Sequence, residues 1–168
     1  MISLYIILAV LFFIVIVQDF KSKHISAILL PAILICAGAI SIISSGYQKS
    51  LETIGYNLLF VIVQFGLMYA YLKFKYSCTS QVIDKFIGLG DLLFLLAITP
   101  LLSLPEFIVA YLISLILSII YFAFFSSIKK ENAEIPLAGM ISVVMIFSLL
   151  IVYPENLQSF IFNKIIDL

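Results

Sequence analysis

Two of the nine acidic residues in this 168-residue chain stand where a carboxylate is expensive. Asp19 closes the first long apolar run, and Asp91 opens the fourth, in Phe86-Ile87-Gly88-Leu89-Gly90-Asp91-Leu92-Leu93. An ionisable group within or beside a membrane segment costs roughly 3 kcal/mol on insertion scales, and its default reading is functional, with a partner to be named. For each residue the partner suggested by matching depth is the other. Two carboxylates within hydrogen-bonding distance cannot both ionise easily, so they share one proton and divide the work. The ionised member draws a proton from water while the protonated member polarises a scissile carbonyl. That is aspartic protease chemistry, which needs neither a metal nor another cofactor. Gly88 and Gly90 shape the site: without Cβ atoms they let backbones approach and leave room for water or an extended peptide.

The other candidates have plainer readings. Glu52, Glu106, Glu155 and Asp167 fall in outer loops or the tail, Glu131 in a cytoplasmic loop and Asp84 among polar residues, and each is read as solvated charge. Glu134 abuts the sixth apolar run. His24, the one histidine, lies among lysines and is read as an interfacial, solvated side chain. Cys36 and Cys78 are far apart, so neither a disulfide framework nor a metal knuckle follows. Ser and Cys nucleophiles lack evident His and Asp partners, which disfavours a Ser or Cys hydrolase.

The elements that must carry the two aspartates are membrane helices. The chain is 64% hydrophobic and 11% charged, with a mean hydropathy of +1.28. A soluble domain needs polar residues to cover its outside, whereas a helix in lipid can be apolar all round. Apolar runs at 2–18, 27–44, 54–72, 92–104, 106–126 and 135–153 predict an all-α membrane protein with six transmembrane helices, a single polytopic domain over 1–168. The fourth run reaches spanning length when its helix begins near Phe86, with Pro100 and Pro105 at its far end. The first run lacks a basic leader and a small-residue cleavage site, and is read as a retained helix.

All nine basic residues are lysines. Seven of them, at 21, 23, 73, 75, 85, 129 and 130, fall in loops on one side, and Lys49 and Lys164 on the other. The positive-inside rule then puts both termini on the non-cytoplasmic side, and Asp19 and Asp91 together at the cytoplasmic face of the cell membrane. No basic stripe or recognisable module points to nucleic acid. The segment after Pro154 mixes apolar and polar positions as a surface-lying amphipathic tail does.

At three places the sequence resembles the type IV prepilin peptidases, small membrane aspartyl proteases of the GxGD type. Gly88-Leu89-Gly90-Asp91 matches their GxGD motif. Asp19, followed by Lys21, Lys23 and Ile25, matches their first aspartate with its basic stretch. Glu134-Ile135-Pro136-Leu137-Ala138-Gly139 is similar to the Ile-Pro-led motif that opens their last helix. The resemblance implies cleavage of the basic leader from prepilin or pseudopilin-like precursors at the cytoplasmic membrane face. Asp19 and Asp91 would be the catalytic pair, Gly88 and Gly90 would shape the site and Pro136 would help form its wall. The chain departs from the common pattern at Ile25-Ser26-Ala27, where many members have Ile-Pro-Asn, and at Leu93, where many have Lys. It lacks the paired CxxC domain of long members, so peptidase without methyltransferase activity is expected. Two other classes compete: a small proton-coupled carrier in which the aspartates relay protons, and a non-catalytic membrane subunit. Coupled transport sites usually lie at the midplane, whereas both aspartates are read at one face.

Overall fold

The computed structural model describes residues 1–22, 24–76, 88–126 and 136–150. Within them the chain forms α1 (Ile2–Ser22), α2 (Leu29–Ser45), α3 (Tyr47–Tyr76), α4 (Leu89–Ile98), α5 (Leu104–Ser126) and α6 (Leu137–Leu150). One helix falls on each of the six apolar runs. The helices α1, α3 and α5 are long and apolar enough to cross a membrane. Lys23, Cys78, Asp84, Lys85, Glu131, Glu134 and the tail after Pro154 lie outside the described residues.

The fourth helix differs from its sequence-based expectation. It has 10 residues, which at 1.5 Å per residue reach about half of the ~30 Å hydrocarbon core. It starts at Leu89, with Gly88 as N-cap and Asp91 in the first turn, and not near Phe86, which lies outside the described residues. Its far end falls at Pro100 as expected: the proline has no amide to continue the ladder, while Thr99 turns its hydroxyl back to donate to the Leu96 carbonyl at 2.8 Å. Leu101 N–H then donates to Ile98 O at 3.0 Å, closing a turn that leads into α5. At the start of α5 the Ser103 carbonyl accepts from Phe107 N–H at 2.8 Å, and Ser103 N–H donates to Glu106 Oε2 at 3.0 Å. This is half of a capping box. Glu106, expected as a solvated loop charge, therefore satisfies an amide at a helix start.

Two more devices set the bundle. Gly46 alone joins α2 to α3; its φ of 83° lies in the left-handed region, and its N–H donates to Ile42 O at 3.0 Å. Helix α2 packs against α1, α3 and α4, and α3 also against α4 and α5. Buried positions recur at helical spacing, as in Leu8, Phe12, Val15 and Asp19 on α1 and Ala138, Ile141, Met145 and Leu149 on α6. Phe12 meets Phe94 of α4 edge to face, with ring centroids 6.1 Å apart. The other side of α1 exposes Ile6, Val10, Phe13 and Val17, an apolar stripe suited to lipid tails.

The α4–α5 turn would leave two carbonyls without partners in apolar surroundings. Asn57, fully buried on α3, supplies both: its Nδ2 donates to Thr99 O at 2.8 Å and to Leu102 O at 2.7 Å. Removing the amide strands both carbonyls, each at a cost of about 1–3 kcal/mol when buried. Asn57→Ala is therefore expected to lower stability by at least about 1 kcal/mol, read as an earlier thermal unfolding transition in detergent or nanodiscs.

Candidate active site

The site is assembled at the first turn of α6. Pro136 O accepts the Met140 N–H at 3.2 Å, which makes Pro136 the N-cap and Leu137, Ala138 and Gly139 the next three positions. The amides of that turn have no partner within their own helix, and proline offers no side-chain oxygen to cap them. Two other helices supply the oxygens. Ala138 N–H donates to Oδ1 of Asp91 on α4 at 3.1 Å. Gly139 N–H donates to Oδ2 of Asp19 on α1 at 2.6 Å. The two aspartates, 72 positions apart in sequence, thus sit on consecutive amides at the positive end of one helix dipole.

The two carboxylates differ in surroundings. Asp19 is 5% exposed, whereas Asp91 is half-buried, in the first turn of a second helix. A bond from an amide to a carboxylate is worth about 1.5–3 kcal/mol net, more than a neutral pair. The pair therefore holds α1, α4 and α6 together as well as presenting two acid groups side by side.

The glycines separate by what a side chain would meet. At Gly88 a Cβ would lie 2.9 Å from Oδ2 of Asp91. Its φ of −63° suits any residue, so the constraint is room for the carboxylate. At Gly90 a Cβ would meet only Ile25 Cδ1 at 3.8 Å, an ordinary contact. At Gly139, which sequence reasoning did not single out as a site residue, a Cβ would meet Phe20 Cε2 at 2.8 Å and Asp19 Oδ2 at 3.0 Å. Phe20 is partly exposed, and its ring can turn aside only by giving up its edge-to-face contact with Tyr121 of α5, at 5.4 Å. Only its place at the third position of a helix opened by Pro136 could have marked Gly139 in the sequence.

Pro136 and Ala138 are buried, and Leu137 and Ala138 join the apolar core. Pro136 thus fixes where α6 begins, and with it which amides face the aspartates. His24 is exposed, and Leu93, two positions after Asp91, is 49% exposed on the outer side of α4. Among the described residues no cluster of three or more His, Cys, Asp or Glu is present to hold a metal.

This geometry ranks three alanine substitutions. Gly139→Ala is expected to be the most damaging, because ring and carboxylate must both move, with a loss of about 1–3 kcal/mol. Gly88→Ala should displace only the flexible end of Asp91, and Gly90→Ala should stay within about 0.5 kcal/mol of the parent. Thermal unfolding midpoints of the three purified variants check the order. No protein-family model, curated protein or solved structure matches the chain.

Proposed function

We propose that the chain is a membrane-embedded aspartyl endopeptidase that removes the basic leader from prepilin or pseudopilin-like precursors. The observation that carries this reading is the convergence of Asp19 and Asp91 on the consecutive amides of Gly139 and Ala138. In the proposed reaction the ionised carboxylate takes a proton from water as its oxygen attacks the peptide carbonyl. The protonated carboxyl donates to that carbonyl oxygen, giving a tetrahedral diol that collapses as a proton passes to the leaving nitrogen. Oδ1 of Asp91 is engaged by Ala138, while Oδ2 faces the space that Gly88 keeps free of a side chain. A water on Asp91 Oδ2 is therefore the natural nucleophile. Amides on the other oxygens hold both carboxylates in orientation before substrate arrives, which is where much of the catalytic gain originates.

The topology that goes with this reading has six membrane helices, both termini outside and the dyad reached from the cytoplasmic side. Its support is the lysine distribution. Processing needs no cofactor, and the expected partner is a precursor with a short basic leader followed by a hydrophobic stem. In the competing carrier reading the same two carboxylates would relay protons without cutting a peptide.

Asparagine substitutions give a clean test. An asparagine carbonyl still accepts from the α6 amides, so the cap survives while the acid chemistry is lost. Asp19→Asn and Asp91→Asn are each expected to slow leader removal at least about 100-fold, the range of general acid–base contributions. The assay is co-expression with a candidate prepilin, followed by gel analysis of processing. Normal processing by both variants would sink the dyad mechanism.

Because catalysis requires one proton on the pair, the rate should fall on both sides of an optimum. On the acid side both groups are protonated and no base remains; on the alkaline side both are ionised and no acid remains. A rate that is flat across the titration range of the pair would contradict shared-proton chemistry.

A further inference from the structure

The residue immediately before Asp19 has a partner that the dyad does not explain. Gln18 is half-buried in the last turns of α1, and its Oε1 accepts the Ser26 N–H at 2.9 Å, across the loop to α2. Ser22 adds a second tie: its Oγ donates to Gln18 O at 2.8 Å and lies 3.4 Å from His24 O. Ser26 O in turn accepts the Leu29 N–H at 2.9 Å, turning the chain into α2. The loop is thus pinned back on the end of α1 through the main chain of His24 and, at the shorter distance, of Ser26. Ile25, between those two residues, is directed inward: it packs against the central core, and its Cδ1 lies 3.8 Å from the Cβ position of Gly90. Gly90 directly precedes Asp91.

We infer that Gln18 is a positioning residue that clamps the α1–α2 loop through Ser26, so that Ile25 forms an apolar wall of the peptide cleft beside Asp91. As the wall of a substrate cleft this rests on the peptidase reading; as a clamp on the loop it does not. Gln18 touches neither water nor substrate in this scheme. It sets where Ile25 stands, and so acts on how an extended chain is received next to the reacting carboxylate.

The loop position is read without any activity assay. In a background where Cys36 and Cys78 are alanine, Ile25→Cys and Gly90→Cys are combined and cross-linked by a short bifunctional maleimide in membranes. Gln18→Leu removes the acceptor, Ser26→Pro removes the donor, and Gln18→Glu keeps an acceptor in place. Cross-linking is expected to fall in the leucine and proline variants by roughly 2- to 12-fold, the worth of one net hydrogen bond. It should stay at the parental level in the glutamate variant. The Gln18→Leu/Ser26→Pro double variant should be no worse than either single, since both delete the same bond. In precursor cleavage, Gln18→Leu should raise KM by a comparable factor with kcat nearly unchanged. Unchanged cross-linking in Gln18→Leu overturns the clamp. A fall in kcat with KM unchanged overturns the assignment of Ile25 to the substrate wall. Absence of cleavage by the parental protein would count against the peptidase reading, while the cross-linking result would still decide the clamp.

Discussion

A helix that begins inside an apolar bundle exposes amide groups that neither water nor its own backbone can satisfy. In this protein that constraint falls on α6, whose N-cap is a proline, and it is met by carboxylates from two other helices. Asp19 at the end of α1 and Asp91 at the start of α4 take the amides of Gly139 and Ala138. The charges gain donors and a favourable dipole, and the amides gain acceptors. Either half alone would be a buried liability. The need to cap one helix and the need to bring two acids together are solved by the same bonds.

The rest of the bundle keeps that meeting point in register. Phe12 on α1 and Phe94 on α4 meet edge to face, and α2 packs against both of the helices that carry the aspartates. At the other end of α4, Asn57 takes the carbonyls of Thr99 and Leu102, so a helix too short to cross a bilayer can end inside the fold. The apolar stripe of α1, from Ile6 to Val17, contributes nothing to this register. It answers to lipid rather than to the core, which is why apolar residues occupy both sides of the helix.

The chain announces its helices and its aspartates readily and its main-chain partnerships poorly. Six apolar runs gave six helices in order, because hydropathy reports directly on a low-dielectric surrounding. Asp19 and Asp91 stood out because a carboxylate at the edge of such a run needs a reason. Gly139 did not stand out as a site residue, since its contribution is an amide and an absent methyl, and any glycine offers both. The clamp from Gln18 to Ser26 was equally silent: an amide side chain binding a backbone N–H eight residues away has no sequence signature. Nor was the shortness of α4 evident: Pro100 marks its far end in the sequence, but nothing there shows that the helix starts only at Leu89, with Gly88 as its cap. Glu106 shows the reverse failure, a loop charge whose bond to Ser103 depends on where α5 starts.

The two acids are held by the polypeptide repeat itself. Neighbouring amides in a helix are separated by a fixed rise of 1.5 Å and a fixed rotation, whatever side chains they carry. Helix α6 therefore serves as a gauge block against which α1 and α4 are set, and the spacing of the two carboxylates takes its precision from backbone geometry. Side-chain drift elsewhere in the bundle can alter what enters the site, yet the gauge stays constant as long as Pro136 marks its zero.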